Sequence, residues 1–348
     1  MKKILSLFFA VMICAAALAG CGTVKSAERG SSSVKKESVV SETSDSHNTE
    51  DDRKLQIVTT IFPEYDWVNE ILGDKRDAAE VTMLLDNGVD LHSYQPTAAD
   101  IAKISTCDLF VYVGGESDVW IKNALAEATN KDMKVINLLE VLGDSVKEEE
   151  VVEGMEAEHE EEAEGEEEEP EYDEHVWLSL RNAKTLCASI CDDLCALDSA
   201  NAESYKANLK AYTDKLDVLD KQYSDVVDKS TNKTVLFGDR FPFRYMADDY
   251  GIKYYAAFVG CSAETECSFN TIIFLAGKVD ELSLPAVLTI EGPNHDIAQT
   301  VVDNTKAKSA KILTLDSMQS ITSDDAANGK NYLSIMTSNL DILKEALN

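Results

Sequence analysis

Residues 181–229 constrain the fold more than any other stretch of the chain. Apolar side chains recur there at Leu186, Ile190, Leu194 and Leu197, then at Tyr205, Leu209, Tyr212, Leu216 and Leu219. Steps of three and four residues place them along one helix face. Only 198–201 interrupts the pattern, and no strand-like run falls within it. On both sides, short β-branched and apolar runs alternate with helical patterns, which predicts parallel β/α topology. The expected fold class is therefore α/β, with two β/α lobes and a long bridging helix between them.

In the first lobe, 54–180, strands are expected at 55–62, 79–85, 108–113 and 134–138. Helices are expected at 64–72, 98–104 and 120–129, the second capped by Thr97 with Asp100 completing a capping box. The bridge is 181–230. In the second lobe, 231–348, strands are expected at 234–237, 253–258, 286–290 and 311–315. Its helices are expected at 243–250, 269–282, 295–305 and 332–347. Parallel sheets bind ligands beyond the carboxyl ends of their strands, so the crevice between the lobes is the expected site.

The amino terminus sets the compartment. Lys2 and Lys3 precede an apolar run over 4–19 that is too short to be a stable span, as in a secretory signal. Leu18-Ala19-Gly20-Cys21 resembles a bacterial lipobox, which implies cleavage before Cys21 and lipid on its sulfur. Residues 22–53 are polar and charged and are expected to form a disordered tether. The mature protein is then anchored to the membrane without spanning it.

Charge excludes one class of partner. The formal net charge is −32, and residues 148–174 hold 17 acidic side chains with no Lys or Arg. Little is left to neutralise phosphates, which argues against nucleic acid. The 147–174 segment is expected to be a solvated, mobile loop, either a spacer or a loose attractor of cations.

Five histidines are present. His92 lies in GVDLHSYQPTAAD, after the 79–85 run. His175 lies in DEHVW, after the acidic segment. Oxygen donors that follow strands are Asp239, Glu291, Asp316 and Gln319. Imidazole and oxygen together suit Zn²⁺ and also accept Mn²⁺. His295 is expected to start a helix and face solvent, and His47 to be inert. Cys187, Cys191 and Cys195 share a helix face, as small core residues or as a thiol cluster. Cys261 and Cys267 bracket SAETE, where an extracytoplasmic disulfide is plausible.

GVDLHSYQPTAAD resembles the GxDPHxYEPTPSD signature of the solute-binding lipoproteins of bacterial zinc and manganese ABC importers. DEHVWLSLRNA is similar to that family's DPHVWLDPxNA, and VYVGGESDVW to its strand and turn before a Trp. The resemblance covers 55–348. It implies two β/α lobes joined by a rather rigid helix with the metal between them, and it makes His92 and His175 the first two ligands. The family's third ligand, a His or Glu, precedes an aromatic-rich helix. Here that region reads GDRFPFRY, so Asp239 is the oxygen ligand expected. For the fourth, the aligned position holds Gln319, with Asp316 three residues earlier.

The implied function is an extracytoplasmic receptor that captures Zn²⁺ and delivers it to an ABC permease and its ATPase. The protein is expected to be a monomer and not an enzyme. Binding needs neutral imidazoles and should weaken in acid. The alternatives are the same role for Mn²⁺ and a surface adhesin with a structural metal. A metal-dependent hydrolase would place a general base such as Glu291 beside a catalytic zinc, but no HExxH motif is present.

Overall fold

The computed structural model describes residues 53–155, 171–262 and 266–348. The leader with Cys21, residues 22–52 of the tether with His47, and 156–170 of the acidic segment with His159 lie outside them. Among the described residues, no helix is long and apolar enough to cross a membrane.

The first lobe carries strands β1 (Leu55–Thr59), β2 (Ala79–Met83), β3 (Leu109–Tyr112) and β4 (Lys134–Asn137). They form one parallel sheet in the order β2-β1-β3-β4. Its helices are α1 (Phe62–Leu72), α2 (Ala98–Thr106), α3 (Ile121–Ala126) and α4 (Leu138–Leu142). The apolar run expected to be one strand over 55–62 divides at Thr60. Glu64 is fully buried, and its Oε2 accepts the N–H groups of Thr60 and Ile61 at 2.8 and 3.2 Å. The carboxylate caps the helix there and ends the strand early. Helix α2 begins as expected, with Thr97 and Asp100 reciprocally capping.

The bridge is two helices, α5 (Leu180–Leu197) and α6 (Ala202–Lys229), broken at 198–201 as the sequence implies. Helix α5 packs on α1 and α4 and so belongs to the first lobe. Helix α6 touches elements of both halves, packing on α1 in the first and on α7 and α11 in the second, and at 28 residues it is about 42 Å long. Cys187 and Cys191 of α5 are buried in the core and Cys195 is half-buried.

The second lobe repeats the first. Strands β5 (Thr234–Phe241), β6 (Lys253–Val259), β7 (Ala286–Ile290) and β8 (Lys311–Leu315) form a parallel sheet in the order β6-β5-β7-β8. Its helices are α7 (Arg244–Tyr250), α8 (Phe269–Leu282), α9 (Asp296–Asn304), α10 (Ser323–Ala327) and α11 (Tyr332–Ala346). Strand β5 runs four residues beyond its expected end, through a register shift between Phe237 and Arg240. That extension carries Asp239 and Arg240 to the crevice. One apolar core runs from the first sheet through α5 and α6 to α11, and a second lies under α8 and α9.

The acidic segment is ordered at both ends. Glu148 and Tyr172 form an antiparallel bridge, and the N–H of Asp173 donates to the Lys147 carbonyl at 2.9 Å. Glu150 meets Arg244 and Tyr254 at 2.7 and 2.9 Å. The base of the expected mobile loop is therefore fixed to the second lobe by charge-assisted hydrogen bonds.

Candidate metal centre

His92 is held by local backbone chemistry. Asp90 begins a short 3-10 turn over Leu91–Ser93 and accepts the N–H of His92 at 3.0 Å. Leu91 is buried and anchors the turn, and the Thr97 cap fixes its far side. The Nδ1 of His92 lies 2.8 Å from Ser117 Oγ, in the turn after β3. Ser117 in turn donates its N–H to Glu174 Oε1 at 2.8 Å. Gly115 makes this approach possible. Its φ is +84°, and a Cβ there would fall 2.3 Å from Glu174 Oε1.

His175 follows the ordered end of the acidic segment and is wholly buried. Both its N–H and its Nδ1 meet Asp173 Oδ1, at 2.9 and 3.0 Å. A carboxylate oxygen accepts, so the ring proton sits on Nδ1 and Nε2 keeps its lone pair. For His92, Glu174 Oε2 lies 3.4 Å from Nδ1 and favours the same tautomer. The two Nε2 atoms face each other at 3.1 Å. With Zn–N bonds of 2.0–2.1 Å, that separation subtends about 95–100° at a shared ion, within reach of tetrahedral coordination. Each ring thus has a carboxylate behind it and a free lone pair in front, the usual outer-shell arrangement of metal-bound histidine.

The oxygen donors expected from sequence lie around this pair in other roles. Asp239 is half-buried and accepts the N–H groups of Arg240 and Ile290 at 2.9 and 3.2 Å, and burial raises its carboxyl. Asp316 accepts the Met318 N–H at 2.8 Å. Burial and the neighbouring Glu291 push its carboxyl up to about 6. Gln319 reaches the rim: with its amide oriented to satisfy both ends, it donates to Asp90 at 3.1 and 3.3 Å. Glu291 accepts from Ser317 and Gln319 and so holds that loop. His295 starts α9, as expected, and is half-buried.

Across the crevice, Arg240 forms an ion pair with Asp90, joining the lobes. Burial raises the Asp90 carboxyl, but the Arg240 guanidinium and His92 outweigh it and hold the group below its ordinary value. Glu174 behaves alike: burial raises it, while His92 and Ser117 bring it below the usual range. Asp90, Arg240, Asp239 and His295 line a cavity of about 320 Å³ beside the histidine pair.

Cys261 was not singled out by the sequence as a metal ligand. Among the described residues, one group of three His, Cys, Asp or Glu side chains has its ligand atoms all within 4.8 Å of one another: His92, His175 and Cys261. No disulfide joins Cys261 to Cys267. The expected disulfide is absent because the two diverge, Cys261 toward the histidines and Cys267 toward the core under α8 and α9. The available signal was position, since Cys261 follows the carboxyl end of β6.

Residues 57–346 match the family model for the zinc-uptake complex component A, periplasmic. The chain is 32% identical over 304 residues to the zinc-binding lipoprotein AdcA of Streptococcus pneumoniae, covering 86% of this chain and 57% of that protein. The chain thus spans little more than half the length of that relative. It is also 32% identical over 295 residues to the high-affinity zinc uptake system protein ZnuA of Bacillus subtilis, covering 84% of this chain and 88% of that one. Among solved structures, the Zn(II)-bound ZnuA-like domain of S. pneumoniae AdcA superposes with a TM-score of 0.65 at 30% identity, over 85% of this chain and 99% of that one. The metal-dependent lipoprotein YcdH of B. subtilis gives 0.68 at 28% identity, over 85% and 100%.

Proposed function

The chain belongs to the zinc-uptake complex component A family, and on that footing we propose that it is the extracytoplasmic receptor of an ABC importer, capturing Zn²⁺ and delivering it to a membrane permease driven by an ATPase. The observation that carries this reading is the pair of Nε2 atoms 3.1 Å apart, each backed through Nδ1 by a carboxylate or hydroxyl. Two acceptor lone pairs facing each other repel unless a cation lies between them. Zinc relatives support the choice of ion, and the named lipoproteins among them support anchoring through Cys21. The protein acts as a monomer in this reading, and its chemistry is binding and release.

The test is zinc titration by calorimetry of the wild type and of the double variant His92→Ala, His175→Ala. The wild type should bind one ion tightly and the variant should lose that event. A double variant that still takes one Zn²⁺ with wild-type affinity overturns the assignment.

A further inference from the structure

We propose that Cys261 is an inner ligand of the cargo ion, so that the site is a thiolate with two imidazoles and distinguishes Zn²⁺ from Mn²⁺ by its sulfur. The inference rests on the receptor reading above and deepens it.

Three observations carry it. First, the Sγ of Cys261 belongs with one ring nitrogen of each histidine to a group whose ligand atoms lie within 4.8 Å of one another. A tetrahedral ion with Zn–N near 2.05 Å and Zn–S near 2.3 Å needs about 3.6 Å between nitrogen and sulfur. The remaining adjustment is thus on the order of 1 Å, a rotamer change or a small turn movement. Second, the chain around Cys261 is shaped for that approach. Gly260 passes so close to His175 that a Cβ would lie 3.2 Å from its ring and 2.9 Å from the Phe241 carbonyl. The N–H of Cys261 is fixed by Glu149 Oε1 at 2.9 Å. Third, the nearby oxygens are engaged otherwise. Asp90 is neutralised by Arg240, and Asp239 accepts two backbone N–H groups. Glu174 Oε1 accepts the Ser117 N–H, and its Oε2 lies 3.4 Å from His92 Nδ1, behind the ring and away from the facing Nε2 atoms.

On binding, the thiol proton leaves to solvent and the sulfur bonds the ion. A soft thiolate favours zinc, whereas oxygen donors suit manganese. His92 and His175 both come from the first lobe, and Cys261 from the second. The ion therefore closes the crevice by joining its two walls.

The experiment uses the full chain loaded with Co²⁺ or Zn²⁺, as wild type, Cys261→Ser, Cys267→Ser and His92→Ala. The Co²⁺ wild type should show a thiolate-to-cobalt charge-transfer band in the near ultraviolet. Cys267→Ser should keep it and Cys261→Ser should lose it. Loss of an outer-shell partner costs 10–100-fold in metal affinity, so loss of this ligand should cost about 100-fold or more for zinc. Its effect on manganese should be smaller, narrowing the preference. A circular dichroism melt of each metal-free variant shows that it is folded. If Cys261→Ser binds zinc as the wild type does, or cobalt gives no thiolate band, the inference is wrong, while loss of zinc in His92→Ala keeps the receptor reading. If the wild type binds no zinc, both fail.

Discussion

Asp173 tests whether the carboxylate behind a ligand sets its strength. Its Oδ1 accepts two hydrogen bonds from His175, from the N–H and from Nδ1, and the side chain is 2% exposed. Removing it costs the imidazole its orientation and the negative charge behind its Nδ1 proton. Hydrogen bonds to charged groups contribute about 1.5–3 kcal/mol each, and outer-shell partners typically change metal affinity by 10–100-fold, or about 1.4–2.7 kcal/mol. Asp173→Ala loses both bonds in a buried place, so it belongs near the upper end, about 100-fold. Asp173→Asn keeps an oxygen that can accept from Nδ1 but loses the charge, so about 10-fold is expected. The two variants therefore separate orientation from charge.

The assay is competition for Zn²⁺ against a chelator of known affinity, with melting curves of the metal-free proteins. The Tyr245 hydroxyl donates to the Asp173 carbonyl at 2.7 Å, and this bond survives either substitution and keeps the turn in place. Nitrogen NMR of the His175 ring should show the proton on Nδ1 in the wild type and a mixture of tautomers in Asp173→Ala. An Asp173→Ala protein that melts normally and binds zinc as tightly as the wild type would refute the claim that this carboxylate prepares His175.

Gly260→Ala should force the turn before Cys261 away from His175, because the new Cβ meets the Phe241 carbonyl at 2.9 Å. Overpacking of that kind costs about 1–3 kcal/mol, read as a lower Tm, together with weaker zinc binding in titration. Thr97→Ala removes the α2 cap and should cost about 1 kcal/mol in urea unfolding, with less effect on zinc than Asp173→Ala. Burial pushes the Asp66 carboxyl up from 3.8 to about 7, while its Oδ2 accepts the Tyr332 N–H. The folded protein then binds this proton more tightly than the unfolded chain, so the group's contribution is full below about 3.8 and is lost as the pH rises to about 7. At 1.36 kcal/mol per unit, that loss is on the order of 4 kcal/mol. Asp66→Asn should be more stable than the wild type at pH above 7, and the gap should close in acid. Parallel stability curves for the two proteins would rule this out.

The sequence made the lobes readable because their signals are local. Strand runs, the Thr97 cap and the break at 198–201 each depend on a few neighbouring residues, and α8, β7 and β8 begin and end where their patterns do. Errors appear where a buried polar group overrides the pattern, as Glu64 does in ending β1. His92 and His175 were legible for a related reason, since each is set by its own turn and an Asp two residues before it. The hydrogen-bond partners of the ligand-like oxygens were not legible because they lie far away in sequence. Nothing near Asp239 reveals that its carboxylate ties β5 to the Ile290 amide, and nothing near Asp90 reveals Arg240. Cys261 is the extreme case. Its nearness to His175 depends on how β6 and the 173–178 turn place their ends across the crevice, and the local traces are its place after β6 and the glycine before it. A site assembled this way has its first two ligands within one wall and its third on the other. The affinity of the pair is then a property of the first lobe alone, while any dependence on Cys261 measures how far the lobes must come together. Comparing zinc affinity in Cys261→Ser with that in Arg240→Ala, where the direct ionic link between the walls is cut, separates the bond from the closure. If closure matters only through the sulfur, the second substitution should add little to the first.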